Sequence, residues 1–265
     1  MRFSADKWLV TPEPRPGAVM RLICFHHAGG GALSYRSWTP HLRNDVELVA
    51  VQLPGRENRF GETPLEGVDR IFEGLAPALR EATRLPYAMF GHSLGARLAL
   101  HVAQQMQALR APPVGLFVSG ARPPANPGSL RPATVERPTD RELLDTLARL
   151  GGTPAALFED EAWLSAFLPA LRADMALNRH LCEQPSLKLD CPIVALGGHD
   201  DKGAPRQRLA EWQAFSNEPV TIRMFPGGHF FTQSSMRDVV EVINASLAEH
   251  LRRRSSASPA YSAAP

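Results

Sequence analysis

One serine, one histidine and a pair of aspartates in this sequence fall at spacings suited to acyl transfer. Gly91, His92, Ser93, Leu94 and Gly95 form a G-x-S-x-G pentapeptide between an apolar run ending at Phe90 and a helical pattern starting at Ala96. Strand, sharp turn and helix are the setting in which a serine is lifted on a nucleophile elbow. A plain glycine-rich loop is the competing reading of the pentapeptide alone. Serine attacks a carbonyl only when a base takes its proton. Of nine histidines, His229 has the right address, in the glycine-rich run Pro226, Gly227, Gly228, His229 between the last strand pattern and the last helix. Sites built on such an elbow take serine, acid and histidine in that chain order.

The acid is then expected on the turn after the preceding strand, where Gly197, Gly198, His199, Asp200 and Asp201 follow Leu196. The two aspartates point in different directions, so one orients the imidazole. A G-x-x-D turn counted from Gly198 favours Asp201, with Asp200 the alternative acid or a turn or capping residue. A tetrahedral oxyanion also needs N–H donors. Leu94 supplies one at the start of the helix, and Ala28, in the side-chain-poor run His26 to Gly31, is the choice for the other. The G-K-[ST] ending of a phosphate loop is absent. Neither an H-E-x-x-H pair nor a spaced Cys/His set occurs, so neither metal nor cofactor is expected.

The elements that must position these residues are legible as alternating patterns. Apolar runs at 21–26, 47–52, 87–90, 115–119, 192–196 and 220–225 read as strands. Helical spacing appears at 68–82, 96–109, 206–215 and 236–251. Strands spaced by helices imply a mainly parallel sheet covered on both faces, an α/β fold. From 122 to about 185 no strand pattern occurs. A proline-rich passage there leads into amphipathic helices at about 140–150 and 159–181, which reads as a helical insertion serving as a lid. Ser93 and His229 lie 136 residues apart, which expects one domain over 1–254. The small polar tail, 255–265, is expected to be disordered.

Composition narrows the function. The chain has 265 residues, 44% hydrophobic and 21% charged, with net charge +2, which argues against a nucleic-acid groove. Prolines number 24, about twice the usual ~5% share, which argues against an all-helical bundle. Cys24, Cys182 and Cys191 form no even framework and read as reduced thiols. The first twenty residues carry no apolar signal core, and no run reaches the ~18–20 apolar residues of a membrane span. A soluble, cytoplasmic monomer is expected.

Several segments together resemble the type II thioesterases, the stand-alone editing hydrolases of nonribosomal peptide and polyketide synthases. They are F-H-H-A-G-G at 25–30, Q-L-P-G-R-E at 52–57 with Arg59, G-H-S-L-G at 91–95, L-R-A-D at 171–174, L-G-G at 196–198 and P-G-G-H-F at 226–230. The P-G-R-E and L-R-A-D segments are the more specific. The resemblance implies an α/β-hydrolase fold with a helical lid, and hydrolysis of misprimed or stalled acyl thioesters on the phosphopantetheine arm of carrier proteins. It places catalysis on Ser93, Asp201 and His229, with oxyanion donors at Ala28 and Leu94. His26 stands where many members have proline, Leu94 where methionine is frequent, and Lys202 where proline is common. A small-molecule carboxylesterase or lipase on the same triad is the rival enzyme reading, and an inactive carrier-binding module is the rival of another class. Acyl transfer in place of hydrolysis also stays open. Arg56 and Arg59 read as a solvated turn.

Overall fold

The structure, a computed structural model, describes residues 2–3, 7–124, 139–152, 154–183 and 187–257. Its frame is an eight-stranded sheet: β1 (Arg2–Phe3), β2 (Leu9–Thr11), β3 (Met20–Phe25), β4 (Val46–Val51), β5 (Tyr87–His92), β6 (Leu116–Ser119), β7 (Ile193–Gly198) and β8 (Thr221–Phe225). The spatial order is β1-β2-β4-β3-β5-β6-β7-β8. From β4 to β8 all neighbours are parallel, while β1 and β2 add an antiparallel edge.

Strand side chains alternate faces, so each central strand feeds two cores. Ile23 and Phe25 of β3 join Met89 of β5 and Val118 of β6 in one. Leu22 and Cys24 join Phe90 and Phe117 in the other. The first face is covered by α1 (Val68–Ala82) and α2 (Leu94–Ala108), and the second by a 3-10 stretch (Ala32–His41) and α7 (Met236–Ala257). On α1, Val68, Ile71, Leu75, Ala78, Leu79 and Ala82 make one buried stripe at helical spacing.

Four points differ from the sequence reading. The short strands β1 and β2 were not anticipated, because two or three residues carry too little periodicity, nor was the 3-10 stretch, whose ten residues hold Pro40 and follow no 3.6-residue stripe. The pattern at 206–215 divides into α5 (Arg206–Leu209) and a 3-10 segment (Ala210–Phe215), which turns Trp212 into the core with its indole N–H on the Ala121 carbonyl at 2.8 Å. The last helix runs to Ala257, three residues into the expected tail. The rest of that tail, with Pro127, Pro132 and Pro138, lies outside the described residues.

The insertion holds α3 (Asp140–Leu150) and α4 (Glu161–Glu183). Thr139 and Glu142 close a reciprocal capping box that starts α3. Only Leu143 and Leu147 of α3 are buried, against Leu171 of α4. Each such side chain contributes about 1.5–3 kcal/mol. Alpha helix α4 packs on α2, the helix that follows Ser93.

Candidate active site

Ser93 occupies the β5–α2 turn with φ 56° and ψ −117°, a left-sided backbone that non-glycine residues rarely adopt. The flanking glycines explain how the turn is held. A Cβ on Gly91 would lie 2.1 Å from the Gly95 carbonyl oxygen, and one on Gly95 would lie 2.1 Å from that of Phe25. Strand and helix approach with no room for a side chain, so the strained serine has nowhere to relax.

His229 lies in the loop between β8 and α6 (Phe231–Ser234). Its Nδ1 is 2.8 Å from Asp201 Oδ2 and its Nε2 is 3.1 Å from Ser93 Oγ. An ionised carboxylate only accepts, so Nδ1 carries the proton and Nε2 is left to accept the serine O–H. The second oxygen, Asp201 Oδ1, takes the Gly203 N–H at 2.8 Å. Burial pushes the Asp201 carboxyl up. The bond to His229, the imidazole charge and the amides of Gly203 and Ala204 outweigh that and hold it below its ordinary value. Asp200 is exposed and its N–H goes to the Gly227 carbonyl, a turn role. Of the two aspartates, only Asp201 bonds to the imidazole.

Ala28 and Leu94 line a cavity of about 320 Å³ together with Ser93 and His229. Leu94 opens α2, where the first N–H groups of a helix find no partner within it. Its roof comes from the insertion, through Leu143, Leu147 and Leu150 of α3 and Leu171, Met175 and Asn178 of α4. Helices α3 and α4 of the insertion therefore cover the cavity.

The loop carrying Ala28 is positioned by residues whose role was not anticipated. Arg56 and Arg59 are not a solvated turn: they are only 7% and 6% exposed. Arg56 makes a two-pronged bond to Asp174 of α4, at 2.6 and 2.9 Å, and Asp174 also accepts the Gly29 N–H at 2.7 Å. Gly29 has φ +74°, and a Cβ there would strike the Phe167 ring at 2.5 Å. Gln52 accepts the Ala32 N–H and donates to the Arg56 carbonyl, while Glu57 accepts from Leu33. Arg59 bonds Glu62 and the Gln52 carbonyl and stacks over Trp8 at 4.4 Å. The P-G-R-E and L-R-A-D segments therefore meet in one clamp around the loop. Their motif character was the only advance signal, because their pairing spans 118 residues.

Around the base lies a group of neutral imidazoles. His92 is buried, bonds Ser119 Oγ at 3.0 Å through Nδ1 and sits 5.1 Å from the His229 ring. His27 packs edge-on against Phe230 at 5.1 Å. Burial, then the charges of His229 and Arg56, push His27 down to about 4. Burial likewise holds His26 and His92 well below the ordinary histidine range. Among the described residues no group of three or more His, Cys, Asp or Glu could hold a metal, and no helix is long and apolar enough to cross a membrane.

A family model of the thioesterase domain matches residues 20–247. The chain belongs to the thioesterase family. This thioesterase is 36% identical over 251 residues to Thioesterase PikA5 of Streptomyces venezuelae, covering 92% of this chain and 86% of that one. It is 33% identical to the gramicidin S biosynthesis protein GrsT of Aneurinibacillus migulanus, over 89% of this chain and 92% of the relative. Among solved structures it resembles the type II thioesterase BorB from the borrelidin biosynthetic cluster, with TM-score 0.78, 35% identity, and coverage of 92% and 97%. YbtT, a type II thioesterase from the yersiniabactin NRPS/PKS pathway, superposes with TM-score 0.76 at 26% identity, over 89% of this chain and 96% of that one. The thioesterase has the α/β-hydrolase fold of these relatives, and they match it over nearly all of their own lengths.

Proposed function

We propose that this thioesterase hydrolyses acyl thioesters carried on the phosphopantetheine arm of carrier proteins, clearing stalled or misprimed groups in nonribosomal peptide or polyketide assembly. The observation that carries the reading is the continuous hydrogen-bonded chain Ser93–His229–Asp201 at the floor of a lidded cavity in a thioesterase fold. Ser93 Oγ attacks the thioester carbonyl carbon as His229 Nε2 takes its proton. The oxyanion rests on the N–H groups of Ala28 and Leu94. Collapse breaks the C–S bond, and the thiol leaves with the proton from His229. Water then gives a proton to His229 and attacks the acyl-serine, releasing the acid and restoring Ser93. Asp201 holds the imidazole tautomer and offsets its charge.

Intact-protein mass spectrometry on an acylated carrier protein tests this. The wild type is expected to remove the acyl mass while Ser93→Ala leaves it in place with an unchanged melting temperature. Undiminished deacylation by Ser93→Ala would sink the assignment. Fast cleavage of p-nitrophenyl esters without carrier deacylation would instead favour the small-molecule carboxylesterase.

A further inference from the structure

A cation with no counter-ion among the described residues lines the catalytic cavity. Arg97 lies one turn beyond Ser93 on α2, about 6 Å along the helix axis and on a neighbouring face. With Arg122 and Asn178 it lines the cavity that holds Ser93, and no described residue of that lining is acidic. Its Nη1 donates to Asn178 Oδ1 at 2.8 Å. Its Nε is buried and has no hydrogen-bond partner among the described residues. The acid behind the site, Asp201, is committed to His229 and Gly203. Arg208, in the cleft that adjoins at Arg97 and Arg122, is already paired with Glu211 at 2.7 Å. Burial, with the charge of Arg122, pulls the Arg97 guanidinium down against a smaller opposing effect of Cys182. An arginine short of partners in such a cavity is costly, and its planar fork matches a carboxylate.

We propose that the acyl groups this enzyme removes include those bearing a carboxylate beyond the thioester carbonyl, and that Arg97 is the residue that reads it. The inference rests on the thioester-hydrolase reading above and names a substrate class for it. Distance from the nucleophile selects the acyl group over the arm as the source of the anion. Arg97 lines the same cavity as Ser93, whereas the phosphate of phosphopantetheine stands at the far end of a long chain from the sulfur. Leu143, Leu147 and Leu171 supply apolar wall for the carbons between the two carbonyl groups.

The test uses pantetheine thioesters, which carry no phosphate, in pairs matched for shape: malonyl against isovaleryl, and succinyl against 4-methylpentanoyl. After subtraction of spontaneous hydrolysis, wild-type kcat/KM is expected to favour the carboxylate of at least one pair by about tenfold or more. Arg97→Met is expected to bring that ratio to one or below. Equal or faster cleavage of both neutral acyl groups by the wild type overturns the proposal, and this comparison stands even where Arg97→Met does not fold. A ratio untouched by Arg97→Met also overturns it. Rate gains that appear for all four acyl groups only on phosphopantetheine would assign the arginines to the arm, again against the proposal. Turnover of the neutral pair separates these failures from failure of the hydrolase reading, in which no thioester is cleaved and both fall.

Discussion

At the elbow, backbone holds the catalytic group: Gly91 and Gly95 let strand and helix touch, and Ser93 keeps its strained φ because both neighbours are closed off. The 26–31 loop, which carries the Ala28 N–H proposed as the second oxyanion donor, is held by side chains instead. Asp174 reaches it from α4, where it also neutralises Arg56. The proposed nucleophile is thus held by the sheet, whereas the loop carrying the proposed Ala28 donor is held by α4. Moving α4 would take the acceptor from the Gly29 N–H, a bond in which the turn at Ser93 has no share.

The harshest way to break the contrast is to strike the elbow. Gly95→Val places side-chain atoms on the Phe25 and His26 carbonyls and is expected to cost more than about 4 kcal/mol, read as loss of soluble protein or of the cooperative melting transition. On the loop side, Asp174→Ala leaves Arg56 buried and uncompensated, with an expected loss of about 3–5 kcal/mol in urea unfolding. The double variant Arg56→Met/Asp174→Leu sharpens the distinction. Stability is expected to return while kcat stays depressed, because the Gly29 N–H still lacks its acceptor. Recovery of both together would mean that the clamp serves stability alone.

Acid probes the seam between the two regions, where His27 of the loop meets His92 of the elbow. In the folded state His27 titrates at about 4, against the ordinary 6.5 of the unfolded chain, so between those values the unfolded state binds more protons. Its contribution is fully present above about 6.5 and is lost as pH falls towards 4. Between pH 7 and pH 5 it accounts for about 2 kcal/mol of lost stability. His27→Gln is expected to shrink the pH-dependent fall in urea midpoint by that share, and an unchanged fall would contradict it. The smallest effect belongs to the outer lid. Thr139→Ala removes the α3 cap at a cost of about 1 kcal/mol, seen as faster amide exchange in α3 with no change at the elbow.

What could be read from the sequence divides along the same line. The elbow was legible because glycines at 91 and 95 report a local backbone need, and Ser93, Asp201 and His229 each stand at the end of a strand pattern. Helices Val68–Ala82 and Asp140–Leu150 match their expected bounds because one shows an uninterrupted apolar stripe and the other opens on a capping box. Arg56 and Arg59 were misread because arginines in a Pro-Gly turn are usually solvated. Nothing local to Arg56 reveals an aspartate waiting 118 residues away. Arg97 was passed over for the same reason: one charge on an otherwise apolar helix face means little until the cavity above it is visible.

The distance between Ser93 and His229 has a consequence for the growing chain. The nucleophile's strand sits in the middle of the sheet, but acid and base are delivered by the last two strands of a parallel order, whose pairing must wait for long crossovers. A chain halted on the ribosome before residue 201 would already own its serine and would lack the groups that arm it. If the proposed triad does the chemistry, such a fragment neither consumes thioesters nor acylates itself at an enzymatic rate. With the proposed triad, hydrolytic activity would therefore also report that β8 and the loop after it have joined the sheet.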